Sequence, residues 1–469
     1  MAAGRADVTG SLTTTIRNLV AEDLSTPAAV DLLGEDRREF ARQRVFSHLD
    51  RLAADDDGLL QSIGGPESEQ HLARSVLDAL FGLGALQTLV DNPEIENIDV
   101  NGCDCVWATF ADGSKMQMAP VADSDEELVD VLRSAASKFG LSERRFDLAR
   151  PELDLRLPDG SRLSALMAVS ARPAVSVRRH RYADLSLADL TTLGSIDAGL
   201  ASLLGAAVRA RKNIVVAGAM NSGKTTLLRA LAAEISPRER IVTIEQAFEL
   251  GLDTASERHP DMVALEARPS NVEGEGLISV ADLVRRALRM NADRVIVGEV
   301  LGDEVLPMLN AMSQGRSGSM CTIHADSSSG VFRRIASYAV QAPERLPLEA
   351  SNLLIAGAIH FVVYLDSEMH DGADSVADRS EGPESQNAEW QDDPHSLRRF
   401  PSRAARRRFV SSIREVVDAE GVQVISNEIF RPGADRRAVP ASPLRPETLR
   451  ELARFGYEPS GAVLSGALA

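Results

Sequence analysis

Cysteine is almost absent from this chain: Cys103, Cys105 and Cys321 are the only three in 469 residues. So few thiols, odd in number, make no disulfide framework. In a long chain without a secretory signal they fit a reducing cytoplasm. Cys103 and Cys105 form a C-x-C pair, but no second pair or nearby histidine completes a zinc site, so both read as structural or incidental thiols. Long apolar runs are missing too. No stretch reaches the ~18 uncharged apolar residues of a membrane-spanning helix. Residues 1–24 carry Arg5, Asp7, Arg17, Glu22 and Asp23 and hold no continuous apolar core, unlike a secretory signal. Positive charge is in deficit, with 51 Lys and Arg against 69 Asp and Glu and a net charge of −18. That balance argues against a chain whose whole surface coats nucleic acid, and no direct nucleic-acid binding is expected.

What remains is ordinary globular material: 44% hydrophobic and 26% charged. The length exceeds one ordinary core and points to two or three domains. Residues 1–84 read as a helical, partly disordered extension, with amphipathic patterns at 37–50 and 71–83. Residues 85–184 read as a small α+β domain. In it, strands surround the Asn101-Gly102 turn, a helix spans 126–138, and further strands lie at 153–157, 162–167 and 174–179. From 185 to 469 helices alternate with short apolar strands at 214–217, 241–244, 295–297 and 319–323, with one more at 361–365. That alternation predicts an α/β, mostly parallel, doubly wound sheet. Residues 366–408 break the order: an acidic, apolar-poor stretch is followed by arginines at 398, 399, 403, 406, 407 and 408. They read as a disordered insertion, either a solvated loop or a tether for an anionic partner. A hairpin over 414–430 and a helix over 445–455 follow.

The sharpest signal is Gly218-Ala219-Met220-Asn221-Ser222-Gly223-Lys224-Thr225, which fits G-x-x-x-x-G-K-[ST] at every fixed position. Glycines let main-chain N–H groups curl around a phosphate without Cβ clashes. Lys224 brings a point charge to the β- and γ-phosphates, and the Thr225 hydroxyl ligates Mg²⁺. The helix that begins here, through Thr226, aims its positive end at the anion. The flanks agree: a buried-type strand enters the loop and a helix leaves it. The chain is therefore expected to bind ATP and Mg²⁺.

Three further motifs follow. The strand 294–298 ends in Glu299, as does a Walker B element, whose carboxylate holds Mg²⁺ through water. The strand 241–244 ends in Glu245, with Glu249 beyond it. A carboxylate there either activates the attacking water or caps the start of a helix. His324 closes the strand 319–323, placed either to sense the γ-phosphate or to serve as a structural histidine.

In order, the segments GAMNSGKTTLLRAL, IVTIEQAFEL, DLVRRALRMNADRVIVGEV and AMSQGRSGSMCTIHAD resemble the type II/type IV secretion ATPase superfamily. NPEIENIDVNG and LDLRLPDGSRLSALMAVSA are similar to the N-terminal domain of its tight-adherence (Flp-type) pilus assembly branch. The resemblance implies a RecA-like P-loop domain behind a smaller N-terminal α+β domain, assembled as a homo-hexamer. It implies an ATP hydrolase that works on an integral inner-membrane platform protein from the cytoplasmic face of that membrane. By position, Glu245 matches the water-activating glutamate, Glu299 the Walker B carboxylate and His324 the histidine-box residue. Arg156, Arg162 and Arg178 lie where N-terminal-domain arginines reach the phosphates. The chain departs from the pattern at Gln246, Leu301 and Arg316, where the family commonly has Asp, Arg and His; loss of a cation at Leu301 weakens charge stabilisation beside the site. Conjugative or type IV export, and a weakly catalytic nucleotide-gated scaffold, are the alternative readings.

Overall fold

A computed structural model describes residues 2–26, 29, 32, 34–55, 66–139, 145–179, 185–254, 257–271, 274–313, 317–369, 399–400 and 406–459. The chain divides into two compact units, Met1–Arg179 with Pro383–Arg403, and His180–Gly382 with Ala404–Ala469.

The first unit opens with three helices: α1 (Ala2–Leu24), α2 (Gly34–Asp55) and α3 (Pro66–Phe81). Leu12, Ile16, Val20 and Leu24 recur every fourth residue along α1 and pack with Ala41, Val45 and Leu49 of α2 and Leu72 and Val76 of α3. The polar composition of residues 1–24 hides α1, because four well-spaced apolar residues suffice to seat it. Asp23 pins α1 to α2 by accepting hydrogen bonds from Arg44 Nε (2.7 Å) and Nη2 (2.9 Å) and lying 2.7 Å from His48 Nε2. The Arg44 guanidinium holds the Asp23 carboxyl down at about 2.

The same unit continues with α4 (Leu86–Asp91), strands β1 (Ile95–Asn101), β2 (Val106–Phe110) and β3 (Lys115–Met118), helix α5 (Asp125–Phe139), and strands β4 (Glu152–Arg156), β5 (Arg162–Leu166) and β6 (Ala174–Arg178). Leu128, Leu132, Ala135 and Ala136 of α5 join the strands in one core. Cys103 is buried there and its thiol is pushed up by burial, while Arg172 holds Asp104 and Asp125 beside it.

The second unit runs α6 (Leu187–Thr192), α7 (Ala198–Arg209), β7 (Ile214–Gly218), α8 (Lys224–Ala232), β8 (Ile241–Glu245), β9 (Met262–Glu266), α9 (Val280–Ala287), β10 (Arg294–Val300), α10 (Val305–Ser313), β11 (Met320–His324), α11 (Gly330–Gln341), α12 (Leu348–Ala358) and β12 (Phe361–Met369). Its core strands lie in the order β12-β7-β11-β10-β8-β9, all parallel. Numbered among these core strands the order is 6-1-5-4-2-3, so the phosphate-loop strand β7 sits between the sixth and fifth strands, within the RecA-like P-loop fold expected from the sequence. Ile214 and Val216 enter the core on one face while Val215 and Ala217 enter the core on the other. Burial on both faces explains the unbroken apolar run of β7.

The break in order expected from residue 366 is shorter at both ends. β12 continues to Met369, and after β13 (Arg399–Phe400), which pairs with β3, strand β14 begins at Arg406 and runs to Glu420. Glu368 stands opposite Arg407 across the β12–β14 ladder, and opposed charges stabilise such a pair. Residues 370–398 and 401–405, including Arg398 and Arg403, lie outside the described residues. β14 forms a hairpin with β15 (Gln423–Pro432), followed by β16 (Ala438–Pro440) and helix α13 (Pro446–Arg454).

Two buried polar residues lock the base of the sheet. Arg294 is fully buried; its Nε and Nη2 donate to Glu239 at 2.6 and 3.0 Å, and its Nη1 donates to Gly318 O at 3.2 Å. Gly318 has φ +91°, and a Cβ there would fall 1.8 Å from Arg294 Nη1, so only glycine fits. Asn213, also fully buried, donates from Nδ2 to Met312 O (2.9 Å) and Ala358 O (2.6 Å) and accepts at Oδ1 from Gly318 N (2.7 Å) and Ser319 N (2.9 Å). An Asn213→Leu variant strands all four of these groups. At about 1–3 kcal/mol for each unsatisfied buried group that finds no water, the loss should exceed about 2 kcal/mol in urea denaturation. An unchanged midpoint would show that the network contributes nothing.

The main-chain N–H of Asn213 donates to His360 Nδ1 at 3.1 Å. Burial, helped by the Lys212 charge, lowers the His360 pKa from 6.5 to about 4. The fold therefore favours the neutral ring. That contribution is complete above pH 6.5 and is lost as pH falls from 6.5 toward 4. Urea midpoints should drop over this window less steeply in His360→Gln, whose amide oxygen can still accept from Asn213; parallel wild-type and variant profiles would refute the assignment.

Candidate active site

The parallel strands end together at one edge, and the motif residues gather there. β7 delivers the chain into residues 219–223, and α8 starts at Lys224. A Cβ on Gly218 would come within 2.5 Å of Ser222 Oγ and 2.6 Å of Leu365 O, so the loop can fold back on the strand only with glycine there. Gly223 has φ +93° and Asn221 φ +59°, left-handed conformations that glycine adopts freely and asparagine tolerates. Ser222 Oγ is buried and unpartnered. A glycine cradle at a helix N-terminus with a buried orphan hydroxyl fits a bound phosphate chain.

Lys224 lies folded over this loop. Its Nζ donates to Ala219 O at 3.0 Å and Gly218 O at 3.3 Å and stands 3.1 Å from His324 Nδ1. His324 Nε2 lies 2.8 Å from Glu299 Oε1. An ammonium can only donate, so Nδ1 accepts, and the ring proton on Nε2 points to the carboxylate. Lys224, His324 and Glu299 thus form one chain linking the ends of β7, β11 and β10. The register of β10 on β11 shifts between Val297 and Val300, and Thr322 Oγ1 donates to Gly298 O at 2.6 Å. This irregularity lies directly before Glu299, where such bulges re-aim side chains.

Glu245 takes a different position from that of an open general base. It is 4% exposed, and its Oε2 accepts the N–H groups of Glu249 and Leu250, each at 2.8 Å. Its Cγ would lie 2.9 Å from a Cβ on Gly298, which explains the glycine before Glu299. Here Glu245 caps main-chain amides, as the capping alternative expected, but those of a loop after β8 and not of a helix start. The capped loop presents Glu249, whose Oε1 accepts from Thr225 Oγ1 at 3.2 Å, and the Glu249 carbonyl accepts from Arg229 of α8. The closeness of Glu249 to Thr225 was not legible as a contact in the sequence. Its only signal was a second carboxylate following the first.

Among the departures from the family pattern, Leu301 is 52% exposed, and its N–H and that of Gly302 donate to Glu304. Gln246 lies in the loop that Glu245 caps, and Arg316 lies outside the described residues. Arg156, Arg162 and Arg178 belong to the first unit and form a row: Arg156 is the register partner of Arg162, and Arg162 of Arg178. Like charges directly opposite on adjacent strands repel, and a bound anion relieves that repulsion. Arg162 is in part balanced by Asp154, 3.4 Å away.

Beside the phosphate loop a cavity of about 630 Å³ is lined by Ser222, Gly223 and Thr226 together with Leu185, Leu190 and Ile196. Arg408 lines the same cavity and donates from Nε to Asn221 O at 2.9 Å. This contact was not anticipated; the arginine run around it read as disordered. Among the described residues no cluster of three His, Cys, Asp or Glu side chains is arranged to hold a metal alone, and no helix is long and apolar enough to cross a membrane.

Residues 82–427 match the family model described as type II/IV secretion system protein. A putative conjugal transfer protein of Mycobacterium tuberculosis is 38% identical over 265 residues, covering 55% of this chain and 72% of that one. The type IV secretion system protein PtlH of Bordetella pertussis is 31% identical over 319 residues, covering 62% and 91%. Among solved structures, the VirB11 ATPase of the Brucella suis type IV secretion system, in complex with sulphate, is 27% identical, covers 65% of this chain and 94% of its own, and superposes with a TM-score of 0.32. The matched span takes in the phosphate loop, Glu245, Glu299 and His324 as well as most of the N-terminal α+β sheet, and the chain belongs to the type II/IV secretion system ATPase family.

Proposed function

We propose that this chain binds ATP–Mg and hydrolyses it to drive a secretion or pilus-assembly machine. The observation that carries the reading is the Lys224–His324–Glu299 chain closing over a glycine cradle at the start of α8. In the bound state the main-chain amides of 222–226 and Lys224 hold the β- and γ-phosphates. Thr225 and Glu299 are the residues that would hold Mg²⁺, Glu299 through water; the ion would supply neutralisation of phosphate charge. His324 hydrogen-bonds both Lys224 and Glu299, so a change in what Lys224 touches is transmitted to Glu299. Glu245 is assigned as the carboxylate that orients and deprotonates the attacking water, after release from its cap on Glu249 and Leu250. Arg156, Arg162 and Arg178 are assigned to phosphate charge on the strength of their row across β4, β5 and β6.

Family membership supports a homo-hexameric ring that acts on an integral membrane platform from the cytoplasmic side of the inner membrane. Two matched relatives, one described as a conjugal transfer protein and the other as a type IV secretion protein, favour export as a second reading alongside pilus assembly.

Lys224→Ala should abolish saturable binding of a fluorescent ATP analogue in magnesium buffer and reduce phosphate release to background. Binding equal to wild type would remove the basis of this assignment. Glu245→Gln keeps an oxygen that can cap the Glu249 and Leu250 amides but cannot take a proton. It should lower kcat by about 10²- to 10⁴-fold while ATP affinity stays within a few-fold. Glu249→Gln should change kcat only a few-fold. The reverse ranking in steady-state kinetics would assign the base to Glu249 and leave Glu245 as a cap.

A further inference from the structure

The nucleotide reading uses one cation of the second unit, Lys224. Arg408 is a second basic side chain built into the same loop, and nothing in the P-loop motif calls for it. β14 runs antiparallel to β12, and β12 runs parallel to β7. Leu365 pairs with Gly218 on one side and with Val410 on the other, so Arg408 lies two residues further along, above the point where β7 turns into the phosphate loop. From there its Nε holds the carbonyl of Asn221, and its Cδ would lie 3.3 Å from a Cβ on Gly223, the residue that caps α8. Arg408 therefore packs along the loop at its apex.

Charge makes that position informative. The first turn of α8 is the positive end of a helix dipole and already carries Lys224. A guanidinium placed against its N-cap brings a second cation to a helix end that favours an anion. The cavity identifies which part of the anion. Lys224 points toward His324 and Glu299, the side of the terminal phosphate. Arg408 lines the cavity with Gly223 and Thr226 and an apolar wall of Leu185, Leu190 and Ile196, whereas Lys224, His324 and Glu299 do not line it. That wall suits a nucleobase, and the group joining a base to the β-phosphate is the ribose α-phosphate.

We propose that Arg408 is a nucleotide-binding residue that holds the α-phosphate from β14 and, through Asn221, fixes the apex of the phosphate loop. The proposal rests on the nucleotide reading above and deepens it. It predicts a ground-state binding role, since the α-phosphate is remote from the bond that breaks. It also links the β12–β14 hairpin, which carries the long insertion, to nucleotide occupancy.

The test is equilibrium binding of a fluorescent ADP analogue, with steady-state kinetics, on the full chain of wild type, Arg408→Gln, Arg408→Lys and Lys224→Ala. A lost charge-assisted hydrogen bond corresponds to about a 10- to 100-fold change. Arg408→Gln should weaken ADP by that factor and raise KM in parallel, with kcat within about threefold and an unchanged nucleotide-free melting temperature. Arg408→Lys, which keeps the charge without the fork, should fall between wild type and Gln. An ADP affinity of Arg408→Gln within twofold of wild type, with Lys224→Ala defective, overturns the role of Arg408 alone. Wild-type affinity in Lys224→Ala as well overturns the nucleotide reading and this inference with it. If Arg408→Gln melts lower without nucleotide, the Lys variant decides, measured below its own transition: an affinity equal to wild type overturns an α-phosphate contact that needs the fork, and a graded loss supports it.

Discussion

The structure depends on a strand buried on both faces that ends in an abrupt reversal into a helix. β7 has no polar side to slip toward: Ile214 and Val216 belong to one core, Val215 and Ala217 to the other, and both neighbours in the sheet are parallel. A strand held this way fixes the height at which Gly218 leaves the sheet. From that height the loop can close only because Gly218 lacks a Cβ and Gly223 can take a positive φ. The loop amides, the Lys224 ammonium and the Thr225 hydroxyl are brought to the start of α8 as a consequence of this packing. Asn213 and Arg294 secure the other end of the same strands, so the polar interactions at the base and the phosphate cradle at the top belong to one mechanical unit.

The neighbouring strands add chemistry by the same logic. β10, β11 and β8 run parallel to β7, and each carries a titratable side chain at its last or penultimate residue. Three of the four motifs, Lys224, His324 and Glu299, form a continuous hydrogen-bonded chain. Glu245 accepts two main-chain amides, an arrangement that holds the loop through Glu249. A carboxylate that alternates between capping a loop and accepting a proton would couple water activation to loop position.

How much of this was legible in the sequence depended on whether the signal was local. The phosphate loop, its entering strand and its leaving helix were legible because glycine, lysine and threonine at fixed spacing have few other uses. The mostly parallel sheet followed from helix–strand alternation, whereas the order of its strands needed the fold. α1 was missed because its burial rests on four residues spaced by four in an otherwise polar segment. The insertion was drawn too wide because Asp366, Glu368 and Arg406–Arg408 read as charged loop, whereas cross-strand pairing of Glu368 with Arg407 makes them a hairpin. Contacts between distant segments, such as Thr225 with Glu249 and Arg408 with Asn221, leave no pattern in a single sequence and needed the fold.

The central claim is that main-chain amides ahead of α8 hold a phosphate chain. Hydrogen–deuterium exchange of the full chain, with and without ADP and magnesium, addresses those amides directly. The account predicts strong protection of the peptide spanning residues 218–227, weaker protection of peptides containing Glu249 and His324, and little change at the three-helix extension. Unchanged exchange across 218–227 at saturating nucleotide, or protection confined to another part of the chain, would contradict it.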